Sequence, residues 1–225
     1  MSPTGSYTSP PCLAHEIDPT YFDPNATDPV QQRDVARWRR SERKRLSDHR
    51  EALGQEARTK LSAALCGHVK SVLAERNVGS GVVFSGYWPI KCEPDLRPLF
   101  EDLRAEGVDL ALPVVETRAA PLTFRQWLPG ENLVRGDWGI PVPSTRAAKV
   151  VPDVVLAPCL GWTEEGFRLG WGGGYFDRTL ADMVPRPLSI GIAMNAAQLS
   201  TIYPQPHDIP LDLVVTETGL ATISA

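Results

Sequence analysis

Residues 152–182 read PDVVLAPCLGWTEEGFRLGWGGGYFDRTLAD. The run from 152 to 160 is apolar and reads as a buried strand, and YFDRTLADMV, from Tyr175, restarts as a helix. Between them stand Gly170, Gly172, Gly173 and Gly174, four glycines in five positions, with Arg168 ahead and Asp177-Arg178 behind. Ordering so much glycine is costly, because glycine loses more backbone freedom on folding than any other residue. A strand, a turn and a helix in that order form the repeating unit of an α/β sheet.

The flanks continue the alternation. Upstream, GVVFSGYWPI (81–90), VDLALPVV (108–115) and PLTFRQWLPG (121–130) read as strands, with DLRPLFEDLRAEG (95–107) as an intervening helix and DWGIPVPST (137–145) as a loop. Downstream, PLSIGIAM (187–194) is a strand and LDLVVTETG (211–219) closes the sheet. From Gln31 to about Arg76 the pattern is helical. Its first half is strongly basic, its second places Leu61, Leu65, Val69 and Val72 at helical spacing, and Gly79-Ser80-Gly81 ends it. Strands separated by helices of this length predict a three-layer α/β sandwich, its mainly parallel mixed sheet flanked by helices on both faces. One domain is expected over 31–225, after an irregular Pro-, Ser- and Thr-rich extension over 1–30 that Leu13, Tyr21 and Phe22 can pin down.

A chain of 225 residues suits one such core, and 42% hydrophobic with 22% charged residues is ordinary for a globular protein. The formal net charge of −4 argues against general nucleic-acid binding, so an anionic ligand must be met by a local basic cluster. Cys12, Cys66, Cys92 and Cys159 are far apart in no metal-type pairing, and Cys66 and Cys159 read as small buried hydrophobes. With no basic-then-apolar leader and no run of membrane-spanning length, a cytoplasmic location is expected.

The glycine turn follows a buried strand and opens a helix, where α/β proteins bind ligands beyond the carboxyl ends of strands. Bare backbone there lets successive N–H groups face one oxyanion, helped by the positive end of the helix. Arg168 and Arg178 can add forked donors to phosphate oxygens, and Asp177 can hold a divalent cation bridging them. Taken alone, the turn reads equally as a plain tight turn; the flanking Arg and Asp favour the anion site. It is neither a Walker A loop nor G-x-G-x-x-G in its usual place after the first strand.

GFRLGWGGGYFDRTLA (166–181) resembles the R-L-G-x-G-x-G-Y-Y-D signature of the 5-formyltetrahydrofolate cyclo-ligase family. WRRSERKRL (38–46) is similar to that family's opening basic helix, K-x-x-x-R. GYWPIKCEPDLRPLF, ALPVV, LTFRQW, GIPVP and YPQPHDIPLDLVVTE agree in order and spacing, so the resemblance spans about residues 36–218. It implies ATP- and magnesium-dependent closure of 5-formyltetrahydrofolate to 5,10-methenyltetrahydrofolate. The formyl oxygen would be phosphorylated and N10 would then attack, with no protein nucleophile. The implied partners are reduced folate and ATP, with no nucleic acid or membrane, in a monomer or weak dimer.

Residue by residue, the resemblance implies ATP binding by Arg168, Gly170, Trp171, Gly172, Gly173, Gly174, Tyr175 and Phe176, with Arg39 and Arg43 one turn apart on the basic helix. Arg168, Tyr175 and Asp177 fall at the reacting centre. Asp177 and Asp208 match magnesium (Mg2+) ligands, and Trp88, Glu93, Gly173, Gly174 and Tyr175 match folate contacts. Read without the family, Asp208 is a turn residue, His207 a hydrogen-bonded structural histidine, Trp88 core, and the arginine pair a solvated basic face. The chain departs from the family's commoner residues at Arg39, Val142, Thr163 and Trp171. Those departures leave open a member using its ATP site on a different acceptor, or a non-catalytic binder of nucleotide or folate.

Overall fold

Two long helices open the described part of the chain, residues 29–223 of a computed structural model. They are α1 (Pro29–Glu51) and α2 (Gln55–Glu75). The extension expected over residues 1–30, with Cys12, Leu13, Tyr21 and Phe22, lies outside the described residues apart from Pro29 and Val30, which begin α1. Leu65, Val69 and Val72 are buried, as helical spacing demands, because α2 turns one apolar stripe to the core. On α1 the buried stripe is Val35, Trp38 and Leu46, and the Trp38 ring meets Tyr203 edge-on at 5.1 Å.

The sheet then begins with β1 (Val83–Ser85), α3 (Arg97–Ala105), β2 (Asp109–Val114) and β3 (Thr123–Gln126). A small ribbon pairs β4 (Val134–Arg135) with β5 (Pro141–Val142), before β6 (Lys149–Val150) and β7 (Val154–Pro158). A second ribbon joins β8 (Gly161–Trp162) to β9 (Arg168–Leu169), and α4 (Tyr175–Asp182), β10 (Leu188–Ile192), β11 (Leu213–Thr216) and β12 (Gly219–Leu220) follow. The large sheet has eight strands in the order β12-β11-β10-β7-β1-β2-β3-β6. Its five central strands are parallel, and β12, β3 and β6 run antiparallel to their neighbours, so the mainly parallel mixed sheet is as expected.

Alternation along β7 shows the layering. Val154 and Leu156 pack with residues of α2 and α3, whereas Val155 faces Phe176 and Met183 and Ala157 shares a cluster with Leu180 and α1. Helices therefore cover both faces. Each core leucine or valine sealed in this way contributes about 1.5–3 kcal/mol.

The run expected as a strand over 81–90 pairs over only three residues. At Gly86 a Cβ would lie 2.2 Å from the Phe100 ring, so α3 closes directly over bare backbone and the chain leaves the sheet. The two-residue strands β6 and β12 are too short to show a period, and the sequence pattern did not separate them from loops.

Strand order places the functional end. From β1 the chain steps to β2 on one side, then returns to β7 on the other side of β1. The loops leaving the carboxyl ends of β1 and β7 therefore diverge and leave a crevice between them.

Candidate functional site

The loop after β1 delivers Glu93 to this crevice. Lys91 and Cys92 precede it at φ 47° and 59°. Two successive non-glycine residues in the left-handed region cost of order 1–3 kcal/mol each, a strain that needs surrounding contacts to hold it. Glu93 Oε2 accepts the Ile90 N–H at 2.9 Å, and Oε1 accepts the Trp171 indole N–H at 2.8 Å. Lys91 Nζ stands 4.4 Å above the Trp171 ring. Glu93 is buried, and desolvation pushes its carboxyl above the usual range against the pull of those two hydrogen bonds.

Trp171 belongs to the glycine loop, so that hydrogen bond ties the loop after β1 to the turn between β9 and α4. Gly172 and Gly174 lie at φ 99° and 64°, conformations that side-chain-bearing residues rarely adopt. Bare backbone also admits neighbours: a Cβ on Gly170 would sit 2.5 Å from Arg168 Nη1, and one on Gly173 2.7 Å from the Tyr175 ring. Among the described residues, the amides of Trp171, Gly172, Gly173 and Gly174 make no hydrogen bond to protein, and Gly172 and Gly173 are exposed. The loop is open, with its donors unspent.

Basic side chains converge on it. Arg43 Nε donates to the Gly170 carbonyl at 2.7 Å and Arg178 Nη1 to the Gly173 carbonyl at 2.7 Å. Arg168 is buried, pairs with Asp177 Oδ2 at 2.8 Å, stands 5.0 Å from the Phe176 ring, and leaves its buried Nε without a partner. Burial first, then the charge of Arg39, lowers the Arg43 guanidinium from its ordinary value, with Asp208 opposing. Crowded cations around unspent amides make a place for an anion.

Arg39 and Asp208, expected at the nucleotide and the metal, are joined to each other. Both carboxylate oxygens of Asp208 accept from Arg39, whose Nε and Nη2 also reach the Ile202 and Tyr203 carbonyls at 2.9 and 2.8 Å. Asp208 Oδ2 further accepts the Gln205 N–H at 2.6 Å. The pair fastens α1 to the segment before β11. Asp177 is less committed: its Oδ1 meets only the Ile209 N–H, at 3.4 Å. Among the described residues no three His, Cys, Asp or Glu side chains group as a metal cage. His207, expected to be hydrogen-bonded, is exposed and 4.0 Å from Asp208 Oδ1.

Trp88 is half-buried in the α2–α3 cluster, edge-on to Trp127 at 6.1 Å, with Arg97 5.0 Å over its ring. The aromatic beside the glycine loop is one the sequence reading did not single out. Trp138 lies 65% exposed at φ 55°, its ring 5.6 Å from Tyr175. The signal was a tryptophan in a Gly/Pro-rich loop, which one sequence does not distinguish from a core residue. Val142 packs over the bare backbone at Gly136, and Thr163 is buried with its hydroxyl unpartnered.

The model of the 5-formyltetrahydrofolate cyclo-ligase family matches residues 35–217. The 5-formyltetrahydrofolate cyclo-ligase of Escherichia coli (strain K12) is 30% identical over 175 residues, covering 75% of this chain and 90% of that protein. The protein of the same name from Mycolicibacterium smegmatis is 32% identical over 145 residues, 61% of this chain and 74% of its own length. The NMR structure of Aquifex aeolicus 5,10-methenyltetrahydrofolate synthetase superposes with a TM-score of 0.70 at 30% identity, covering 83% of this chain and 93% of that one.

Proposed function

The chain belongs to the 5-formyltetrahydrofolate cyclo-ligase family, and on that premise we propose that it converts 5-formyltetrahydrofolate to 5,10-methenyltetrahydrofolate at the expense of ATP. The observation that carries this reading is the open glycine loop, its amides unspent and Arg43, Arg168 and Arg178 gathered around it. That arrangement suits a polyphosphate. ATP supplies the phosphoryl group that makes the formyl oxygen a leaving group, and N10 closes the ring.

The protein's part is to hold and orient. The amides of residues 171–174 and the arginines neutralise the triphosphate; Phe176 supports the Arg168 head from behind. Tyr175 and Trp138 offer aromatic faces at the loop's edge, and the Glu93 carboxylate accepts the N–H groups of a pterin. Trp88 serves the core behind them. No side chain need act as a nucleophile: Cys159, the thiol beneath the site, is buried and pushed up to about 11.

Magnesium is commonly held by one or two carboxylates and the nucleotide's own phosphates, so a single carboxylate oxygen facing the loop would be enough to take part. Asp177 is the carboxylate suited to that contact, while Asp208 positions Arg39. No described helix is long and apolar enough to cross a membrane, and we assign the enzyme to the cytoplasm, acting as a monomer or weak dimer. The test is methenyl absorbance on incubation of the protein with ATP, magnesium and 5-formyltetrahydrofolate, beside Asp177→Ala. Wild type should turn over, and the variant should lose most of its rate together with some stability, because it strands the buried Arg168 head. A flat trace from folded, ATP-binding wild type would remove the assignment.

A further inference from the structure

The last turn of α1 buries a guanidinium that none of these roles uses. Arg50 is 2% exposed, and its Nη2 donates to the Cys159 carbonyl, just beyond β7, at 2.6 Å. Its Nε is buried with no hydrogen-bond partner. Burial lowers this guanidinium from its ordinary value, and Glu93 is the acidic group that opposes the fall most. An uncompensated buried charge is strongly destabilising, and an apolar residue of similar size would fill the space without that cost.

Glu93 has the complementary difficulty. Its oxygens are committed to Ile90 and Trp171, and neither is bonded to Arg50; the two charges sit at the carboxyl ends of neighbouring strands, Glu93 in the loop after β1 and Arg50 on the Cys159 carbonyl just after β7. The other groups facing it are Lys91 on its own loop, exposed and screened by solvent, and Tyr87 and Cys159, which burial keeps neutral. A folate settling over Glu93 would strip its remaining water and favour protonation. The protonated acid could no longer accept from two pterin N–H donors.

We propose that Arg50 is a positioning residue that acts through Glu93: a positive charge locked behind the site by α1 and the Cys159 carbonyl keeps that carboxylate ionised as Trp171 and the substrate close over it. The inference rests on the reading of Glu93 as a folate-binding carboxylate. Unlike Lys91, Arg50 is shielded from salt and cannot swing away.

Trp171 provides a reporter that needs no turnover, because its indole N–H donates to Glu93. In full-length protein labelled with 15N-tryptophan, the Trp171 resonance, assigned with Trp171→Phe, is followed as pH is varied. Arg50→Met and Arg50→Gln should each raise the midpoint, and Arg50→Lys should return most of the shift. Glu93→Gln should abolish the titration. The acid limb of KM for 5-formyltetrahydrofolate should move with the midpoint, leaving kcat at saturation unchanged.

Folded neutral variants with the wild-type midpoint would overturn the proposal, as would a lysine variant that matches them. Failure of both neutral variants to fold, alone and with Glu93→Gln, would make Arg50 a structural anchor and overturn it too. If Arg50 shifts the midpoint while Glu93→Gln leaves the folate KM untouched, the electrostatic role stands and the folate reading of Glu93 fails.

Discussion

Arg43→Met removes a charge from the glycine loop at small cost to the fold. The side chain is half-buried, Nε is its one donor bonded to protein among the described residues, and both Nη atoms are left for a ligand. Losing the Gly170 bond costs about 0.5–1.5 kcal/mol, partly offset because a desolvated cation beside Arg39 and Arg168 disappears. At about 2–4 °C per kcal/mol for a chain of this length, that amounts to about 1–6 °C in Tm at most. A charge-assisted hydrogen bond to phosphate is worth about 1.5–3 kcal/mol, so KM for ATP should rise about 10- to 100-fold. Arg43→Lys should fall between, keeping charge and losing the fork anchored on Gly170. The assay is methenyl formation at saturating folate with ATP varied, beside thermal melts with and without a non-hydrolysable ATP analogue. A folded Arg43→Met enzyme with wild-type KM for ATP would refute the assignment of this loop to the triphosphate.

Two further outcomes follow from neighbouring contacts. Arg39→Met or Asp208→Asn alone should destabilise the protein by about 3–5 kcal/mol in urea unfolding, since each strands a partner whose side chain is nearly buried, whereas the double variant should lose less than the two combined. Trp138→Ala should leave stability within about 0.5 kcal/mol, because the ring is largely exposed, yet raise KM for reduced folate about 3- to 10-fold with KM for ATP unchanged.

The parts of the site legible in the sequence are those whose chemistry is local. Arg168 through Arg178 are contiguous, and the left-handed conformations at Gly172 and Gly174 are the kind that glycine alone adopts freely, so the turn announces itself. Arg39 and Arg43 share a helix face by spacing alone, and the structure sends both toward the site end of the sheet. What that face would meet was not legible. Arg39 reads as a phosphate donor, and its hydrogen bond to Asp208, 169 positions later, has no signal in the sequence. Trp88 and Trp138 are equally bare in sequence; one lies against Trp127 and the other against Tyr175. Arg50 sits in a run of basic residues that reads as solvated, and only the packing of α1 on the β7 end buries it.

By itself, then, the sequence determined the α/β alternation, the parallel central strands and the glycine turn flanked by Arg168 and Asp177. These follow from backbone propensity and the period of apolar residues, which act over a few positions. Tertiary structure alone decided which charges are free and which are spent. The order β7-β1-β2 brings Trp171 onto Glu93, 78 residues away, and puts the Cys159 carbonyl that Arg50 holds at the same end of the sheet, because loops that diverge from neighbouring strand ends must share one crevice.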